Sequence, residues 1–314
     1  MRIGTRASAL ALAQAGLVLD RLQSSGEGDA ELVPIVTRGD RESAGEQAAP
    51  PGEDKSRWVS ELEGALLRGE IDVAVHSAKD VPGEAVDGLS LVSAPQRAGA
   101  EDALCGAAGL AALAPGARVG TSSVRRVAQL LAARDDLAVV PMRGNVDTRL
   151  AKLQRGELAA IVLARAGLQR LGREDAIGAV LDPARFVPAP GQGTLALQAR
   201  SDDETTQQAL AAIGCADSLA CLAAERALAR ALGASCDTPL GAHAVASDGV
   251  LHLRAWVGLP DGSASLTDEL QGAFAEPDAL GCELAERLGT VGAGEMLAQA
   301  ARMAAALQGR SVSA

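Results

Sequence analysis

Arg118-Val-Gly-Thr-Ser-Ser-Val-Arg-Arg126, continued by Ala138-Val-Val-Pro-Met-Arg-Gly-Asn-Val-Asp-Thr-Arg149, alternates short apolar runs with helix starts. The pattern predicts strands at 118–120, 138–140 and 161–163. Ser122 and Ser123 are good N-caps for a helix bearing Val127, Leu130 and Leu131, and a second helix is predicted over 146–154. Such alternation argues for a doubly wound α/β sheet with short, largely parallel strands. Functional groups then collect at strand C-termini and helix N-termini. Arg125 and Arg126 fall in a first helical turn, and Arg143 just precedes the next helix. An exposed cation beside the positive end of a macrodipole costs roughly 0.3–1 kcal/mol. Backbone N–H groups, hydroxyls and guanidinium forks together suit a bound anion. A solvated basic face is the simpler alternative.

The alternation continues toward the N-terminus. Strands are expected at 2–4, 32–36, 71–75 and 89–94, and helices at 8–24 and 59–67. Residues 41–57 have no period and read as a mobile loop. Residues 95–99 and 186–193 read as crossings between two α/β units, with a return strand at 194–198. After about residue 203 the character changes. Helices at 203–213 and 217–232, strands at 242–245, 251–257 and 264–273, and closing helices at 277–288 and 295–307 make an α+β unit. The expected domains are 1–96 with 194–213, then 100–189, then 217–314.

Composition limits the function. The chain has 314 residues, and 29 Lys+Arg face 40 Asp+Glu for a net charge of -11. Two Trp, two Phe and no Tyr leave a core of Ala, Leu and Val. Nucleic-acid binders need basic stripes and stacking aromatics, so none is expected as a partner. Yet 23 of the 29 cations lie in the first 200 residues, and only Lys55, Lys79 and Lys152 are lysines. Arginine suits bidentate carboxylate or phosphate recognition. The start, Met1-Arg-Ile-Gly-Thr-Arg-Ala-Ser8, has no hydrophobic signal core, and no apolar run reaches membrane-spanning length. A cytoplasmic protein without membrane association is expected. Five cysteines without a CxxC and three scattered histidines give no metal site.

Two motifs carry chemistry. His76-Ser-Ala-Lys-Asp-Val-Pro82 closes an apolar strand, so Asp80 beside Lys79 suits a catalytic carboxylate kept ionised by a neighbouring cation. A polar turn satisfying backbone N–H groups would use the same residues. Gly233-Ala-Ser-Cys-Asp-Thr-Pro-Leu-Gly241 sets Cys236 in a polar turn, where a thiol serves as nucleophile or attachment point. A small buried hydrophobe is the alternative. Cys215 and Cys221 lie on helical patterns and are expected in the core. Arg6 and Ser8 flank the first helix start, another position suited to an anion.

Taken together, these segments resemble the porphobilinogen deaminase (hydroxymethylbilane synthase) family. The resemblance rests on Arg2-Ile-Gly-Thr-Arg-Ala-Ser8, Val36-Thr-Arg-Gly-Asp40, Ser60-Glu-Leu-Glu63, the run from Asp72 to Pro82, Gly120-Thr-Ser-Ser-Val-Arg-Arg126, Arg143-Gly-Asn-Val-Asp-Thr-Arg-Leu150, Ala166-Gly-Leu-Gln-Arg170, Pro190-Gly-Gln-Gly193, and Ala224-Glu-Arg-Ala227 leading to Cys236. It implies three domains, the first two like the lobes of periplasmic binding proteins. It implies a monomeric transferase that joins four porphobilinogens head to tail, releases four ammonia molecules and yields linear hydroxymethylbilane. It implies a dipyrromethane cofactor held by a thioether to Cys236. Asp80, with Lys79, takes the catalytic position. Ser77, Thr121, Ser122, Ser123, Arg125, Arg126, Arg143 and Gln192 take cofactor-binding positions, and Arg6, Ser8, Lys55, Arg143, Arg149 and Arg170 take substrate-binding ones. Each porphobilinogen carries an acetate and a propionate, so a growing chain needs many cationic forks. Loss of ammonia leaves a cationic azafulvene that a fixed carboxylate stabilises. The chain departs from the family pattern near Lys55, where the usual Gly-Gly is absent, and at Ser56, Trp58 and Glu101, where Gly, Phe and Arg are usual. A non-catalytic two-lobed binding protein for a carboxylated or phosphorylated ligand is the rival reading.

Overall fold

A computed structural model describes residues 1–38, 40, 59–84, 86–235 and 237–311, the side chains of 306–311 excepted. The loop expected over 41–57, with Lys55 and Ser56, lies outside the described residues, as do Trp58 and Cys236.

The first lobe begins with β1 (Arg2–Arg6), α1 (Ala9–Ser24) and β2 (Glu31–Ile35). It continues with α2 (Ser60–Leu67), β3 (Val73–Ser77) and β4 (Leu89–Ser93). The chain then crosses into β5 (Asp102–Cys105), β6 (Arg118–Gly120), α3 (Val124–Ala133), β7 (Ala138–Val140) and α4 (Val146–Gln154). The second lobe ends with β8 (Ala160–Ala164), α5 (Arg165–Arg170) and β9 (Ile177–Val180). The chain returns as β10 (Leu195–Arg200) and α6 (Glu204–Ala212). A third unit holds α7 (Ala216–Ala231), β11 (Leu240–Ser247), β12 (Val250–Gly258), β13 (Ser265–Ala273), α8 (Pro277–Thr290) and α9 (Ala293–Ser311).

Among the described residues, three sheets form, in the orders β2-β1-β3-β10-β4, β7-β6-β8-β5-β9 and β11-β12-β13. The two α/β sheets share one plan. Three strands run parallel, while β10 in the first and β5 in the second run antiparallel to both neighbours. The expectation of largely parallel strands holds: four of the five strands in each sheet point the same way, and only β10 and β5 oppose them. The opposing strand is in each case the one that enters its sheet from a crossing: β5 follows residues 95–99 and β10 follows 186–193. Strands β5 and β9 and helix α5 are additions to the elements read from sequence.

Leu, Val and Ala fill the cores, led by Ile3, Leu22, Val73 and Leu197 in the first lobe and Leu104, Val119, Leu130 and Val162 in the second. The third unit buries Leu228, Leu253 and Leu284 between its helices and sheet. Cys221 is buried as expected, but Cys215 is half-buried, caps α7 and donates from Sγ to Gln96 Oε1 at 3.3 Å. Among the described residues, no single helix is long and apolar enough to cross a membrane.

Candidate active site

Strand β3 delivers the first component. It ends at Ser77 and gives way to a single 3-10 turn, Ala78–Asp80, so Lys79 and Asp80 stand half-buried at the strand's C-terminal end. Buried Gln14, from α1, donates from Nε2 to Ser77 Oγ at 2.9 Å. Behind the turn, fully buried His76 makes a 3.0 Å hydrogen bond between Nε2 and Gln198 Oε1. Gln198 Nε2 in turn donates to Glu63 Oε1 at 3.2 Å, which points its carbonyl oxygen at the imidazole and makes His76 the donor. Burial pushes the His76 pKa down to about 4, against the Gln198 hydrogen bond and the nearby Asp80 charge. A neutral imidazole therefore sits beneath Asp80 at neutral pH.

The second component follows β6. Residues 121–123 connect to α3, as the sequence predicts, but the hydroxyls serve differently. Ser123 occupies the N-cap without a side-chain cap bond. Ser122 Oγ donates to Met142 O and accepts from Met142 N, both at 2.8 Å. Thr121 Oγ1 accepts from Ser123 N at 3.2 Å.

Arg125 and Arg126 have an internal partner that the sequence does not mark, and neither forms a solvated basic face. Both are buried on Asp102 at the start of β5. Arg125 Nη2 reaches Oδ2 at 2.8 Å, and Arg126 Nη2 and Nε reach Oδ1 at 2.7 and 3.0 Å. Burial alone would raise the Asp102 pKa, but the Arg125 and Arg126 charges and the Arg126 and Gln192 hydrogen bonds hold it well below the usual carboxylate range. An internal carboxylate thus offsets the helix-start penalty that the sequence assigns to these arginines. No sequence signal marked Asp102, which sits in a strand that the pattern reading did not find.

Arg149 and Arg170 are different. Arg149 Nε donates to Gly144 O at 2.7 Å and Arg170 Nη2 to Gly193 O at 2.6 Å. Among the described residues neither has a carboxylate partner. Burial lowers the pKa of both, that of Arg170 to about 10, and the Arg126 charge lowers Arg149 further. Arg143 is exposed, and no hydrogen bond or ion pair engages it among the described residues. At the end of β1, Arg6 pairs with Asp40 at 2.5 Å. Ser8 caps α1, its Oγ accepting from Ala11 N at 3.4 Å.

Residues 191–194 join these parts. A Cβ on Gly191 would stand 2.9 Å from Ala78 Cβ. Gln192 Nε2 donates to Asp102 Oδ1 at 2.8 Å and to Ala100 O at 2.7 Å. Gly193 O receives Arg170, and Thr194 O accepts from Ala78 N at 3.0 Å. Four consecutive residues therefore touch the Asp80 turn, the Arg125–Arg126–Asp102 cluster and Arg170.

Three further residues, to which the sequence assigns no role, organise this region. Fully buried Glu225 on α7 receives Arg97 Nη1 at 2.7 Å, Gly191 N at 2.6 Å and Ala244 N at 2.7 Å. Arg97 Nε donates to Gln192 O at 2.9 Å. Arg226 faces the loop after Asp80. Glu101, unusual for the family resemblance, pairs with Arg165 at 3.0 Å and so ties the first crossing to α5.

The geometry defines a class: a two-lobed α/β enzyme with an ionisable turn on one lobe and desolvated cations on the other. The family model for the porphobilinogen deaminase dipyromethane cofactor binding domain matches residues 1–208, and that for the porphobilinogen deaminase C-terminal domain matches 219–290. A porphobilinogen deaminase of Deinococcus radiodurans is 47% identical over 300 residues, covering 94% of this chain and 97% of that protein. One of Thermus thermophilus is 46% identical over 301 residues, covering 95% and 98%. Among solved structures, immunogenic lipoprotein A from Vibrio vulnificus overlaps 70% of this chain and 96% of its own at 16% identity and a TM-score of 0.42. The chain belongs to the porphobilinogen deaminase family, and is thereby a transferase of tetrapyrrole synthesis that works with a dipyrromethane cofactor. Family membership sets aside the rival reading as a non-catalytic binding protein.

Proposed function

We propose that the strip 191–194 forms the floor of the condensation site, with Asp80 as the catalytic carboxylate and Arg149 and Arg170 as carboxylate receptors. The observation that carries this reading is the pair of desolvated guanidiniums that have no carboxylate partner among the described residues. A buried cation is costly unless paired, and the substrate brings an acetate and a propionate with every ring. These residues therefore fit a polycarboxylate dipyrromethane. Thr121, Ser123, Arg125 and Arg143 complete its donor set, with Ser77 and Lys79 at the other wall, Gln192 on the floor and Cys236 as the attachment point. When bound, the dipyrromethane supplies a tether and a free pyrrole α-carbon.

This chain's own residues do the rest. Asp80, above a neutral imidazole, holds a negative charge against the cation left when porphobilinogen loses ammonia. Lys79, Arg6, Ser8, Lys55 and Arg143 contribute donors along the path of the growing chain. Arg126 and Ser122 act mainly by fixing the positions of their neighbours, since most of their donors are used internally. We assign the domains as 1–96 with 194–213, 100–189 and 217–314, each built around one of the three sheets. The acidic net charge and scarcity of aromatics argue against nucleic-acid partners, and a cytoplasmic monomer is the reading that family membership favours.

Intact-mass measurement tests the tether. Protein made where porphobilinogen is available should carry an adduct the size of two condensed porphobilinogens, and Cys236→Ala should lack it. An unmodified, folded wild-type chain would sink the attachment. Asp80→Asn should lower kcat by roughly a hundredfold or more with the adduct retained; near-wild-type turnover would remove Asp80 from its role.

A further inference from the structure

Arg226 lies on the face of α7 that turns toward Asp80. Leu222, Glu225 and Arg226, at i, i+3 and i+4, share that face. Leu222 packs in one apolar cluster with Ala78, Val81 and Ala196, directly under the Ala78–Asp80 turn. Glu225 holds Gly191, whose missing Cβ would sit 2.9 Å from Ala78 Cβ and 3.1 Å from Leu222 Cδ1. Arg226 completes the contact from the other side. Its Nη1 donates to Val81 O at 3.2 Å, and its Nη2 to Pro82 O at 2.7 Å and Gly83 O at 3.3 Å. The guanidinium is desolvated there, and burial, then the Arg230 charge, lowers its pKa. It meets no carboxylate among the described residues. A charged side chain that donates to three successive carbonyls holds a backbone in place. Pro82 supplies no N–H to a sheet or helix, and Val81 N bonds within its own turn, to Ala78 O at 3.2 Å.

We infer that Arg226 is a positioning residue for the condensation: it clamps the carbonyls following Asp80 and fixes that turn against the helix leading to Cys236. The inference rests on Asp80 being the acting carboxylate. The guanidinium touches no reacting atom. Its effect is on where the Asp80 carboxylate stands relative to the tethered chain, and a displacement of about 1 Å can cost a hundredfold in rate.

The test uses the adduct-bearing full chain. Arg226→Gln removes the fork, Arg226→Lys keeps the charge with a single point donor, and Arg230→Ala removes a neighbouring exposed arginine that pairs with Asp278. Turnover is measured per adduct-bearing molecule, beside thermal melting and the mass distribution of covalent intermediates in a single turnover. Arg226→Gln should lower kcat about ten- to a hundredfold with KM for porphobilinogen within about threefold of wild type. Arg226→Lys should recover part of kcat, and Arg230→Ala should match wild type. Early intermediates should accumulate in Arg226→Gln, since each ring addition is slowed. Wild-type kcat in folded, adduct-bearing Arg226→Gln would overturn the inference, as would a loss no larger than the loss of folded protein. Asp80→Asn separates the two claims. If it turns over like wild type, the reading of Asp80 fails; if it is inactive while Arg226→Gln is fully active, only the role of Arg226 fails.

Discussion

His76 shows how one buried side chain sets the behaviour of its neighbours. Its imidazole is inaccessible, donates to Gln198, and has its pKa lowered by burial to about 4. In the unfolded chain the same group titrates near 6.5. Between these values the unfolded state binds more protons than the folded state, so stability rises with pH across the window and is lost as pH falls through it. The full effect amounts to about 3 kcal/mol. Asp72, lowered to about 2 through its Arg2 and Arg200 contacts against burial, loses its contribution only below about pH 4, so the two windows separate. Urea unfolding at pH 7 and pH 4.5 should therefore show a larger stability loss for wild type than for His76→Gln. Equal losses would mean that His76 is protonated in the fold. The sequence marked this histidine only as a member of its motif. Its depth depends on β10, whose register beside β3 brings Gln198 across from a position 122 residues away.

At the scale of elements, the strand–helix alternation was legible because its periods are local. Helices α1, α3 and α4 lie where apolar spacing and caps put them. Strands β5 and β9 were not legible, because their burial comes from pairing with β8 and each other rather than from their own pattern. The candidate site divided in the same way. Asp80 and the arginines were visible as motifs, whereas Asp102, Glu225 and Arg226 matter through partners distant in the chain. The crossing at 191–194 is tightly constrained. Gly193 has φ +87, and a Cβ there would meet Ala98 O at 2.5 Å, a backbone atom of the opposite crossing. Neither crossing can yield without moving its strand. Gly193→Ala should cost roughly 1–3 kcal/mol from backbone strain alone and reduce turnover by displacing the carbonyl that receives Arg170. By contrast, Gly16→Ala, on a helix with nothing within 4 Å, should gain about 0.5–1 kcal/mol. Calorimetry of the two variants checks the contrast, and equal melting temperatures would refute it.

Across the whole molecule, the two lobes and the third unit are joined through one carboxylate. Glu225 is completely buried, and Arg97, its counter-ion, leaves only 12% of its side chain exposed. Arg97 belongs to the first crossing, Gly191 to the second, and Ala244 to β11, so both crossings and the third unit converge on the same two oxygens. Neighbouring contacts reinforce the junction. Arg97 N donates to Ser218 Oγ at 2.9 Å, Cys215 N donates to Ala94 O at 2.8 Å, and Trp256 packs on Ala128 and Val187 of the second lobe. Replacing Glu225 by Ala leaves the Arg97 charge buried without its counter-ion and two backbone N–H groups without their acceptor. Loss of one partner from a buried pair costs roughly 3–5 kcal/mol. That loss falls on the junction and not within any one core, since the third unit keeps its own packing between α7, α8 and its sheet. Wild type should therefore unfold in one calorimetric transition and Glu225→Ala in two, the sheet β11–β13 melting apart from the lobes. The split should appear with the dipyrromethane adduct still attached, because Cys236 follows α7 in the same unit. A single transition merely shifted to lower temperature would place the cooperativity of the molecule in the lobe cores instead of at Glu225.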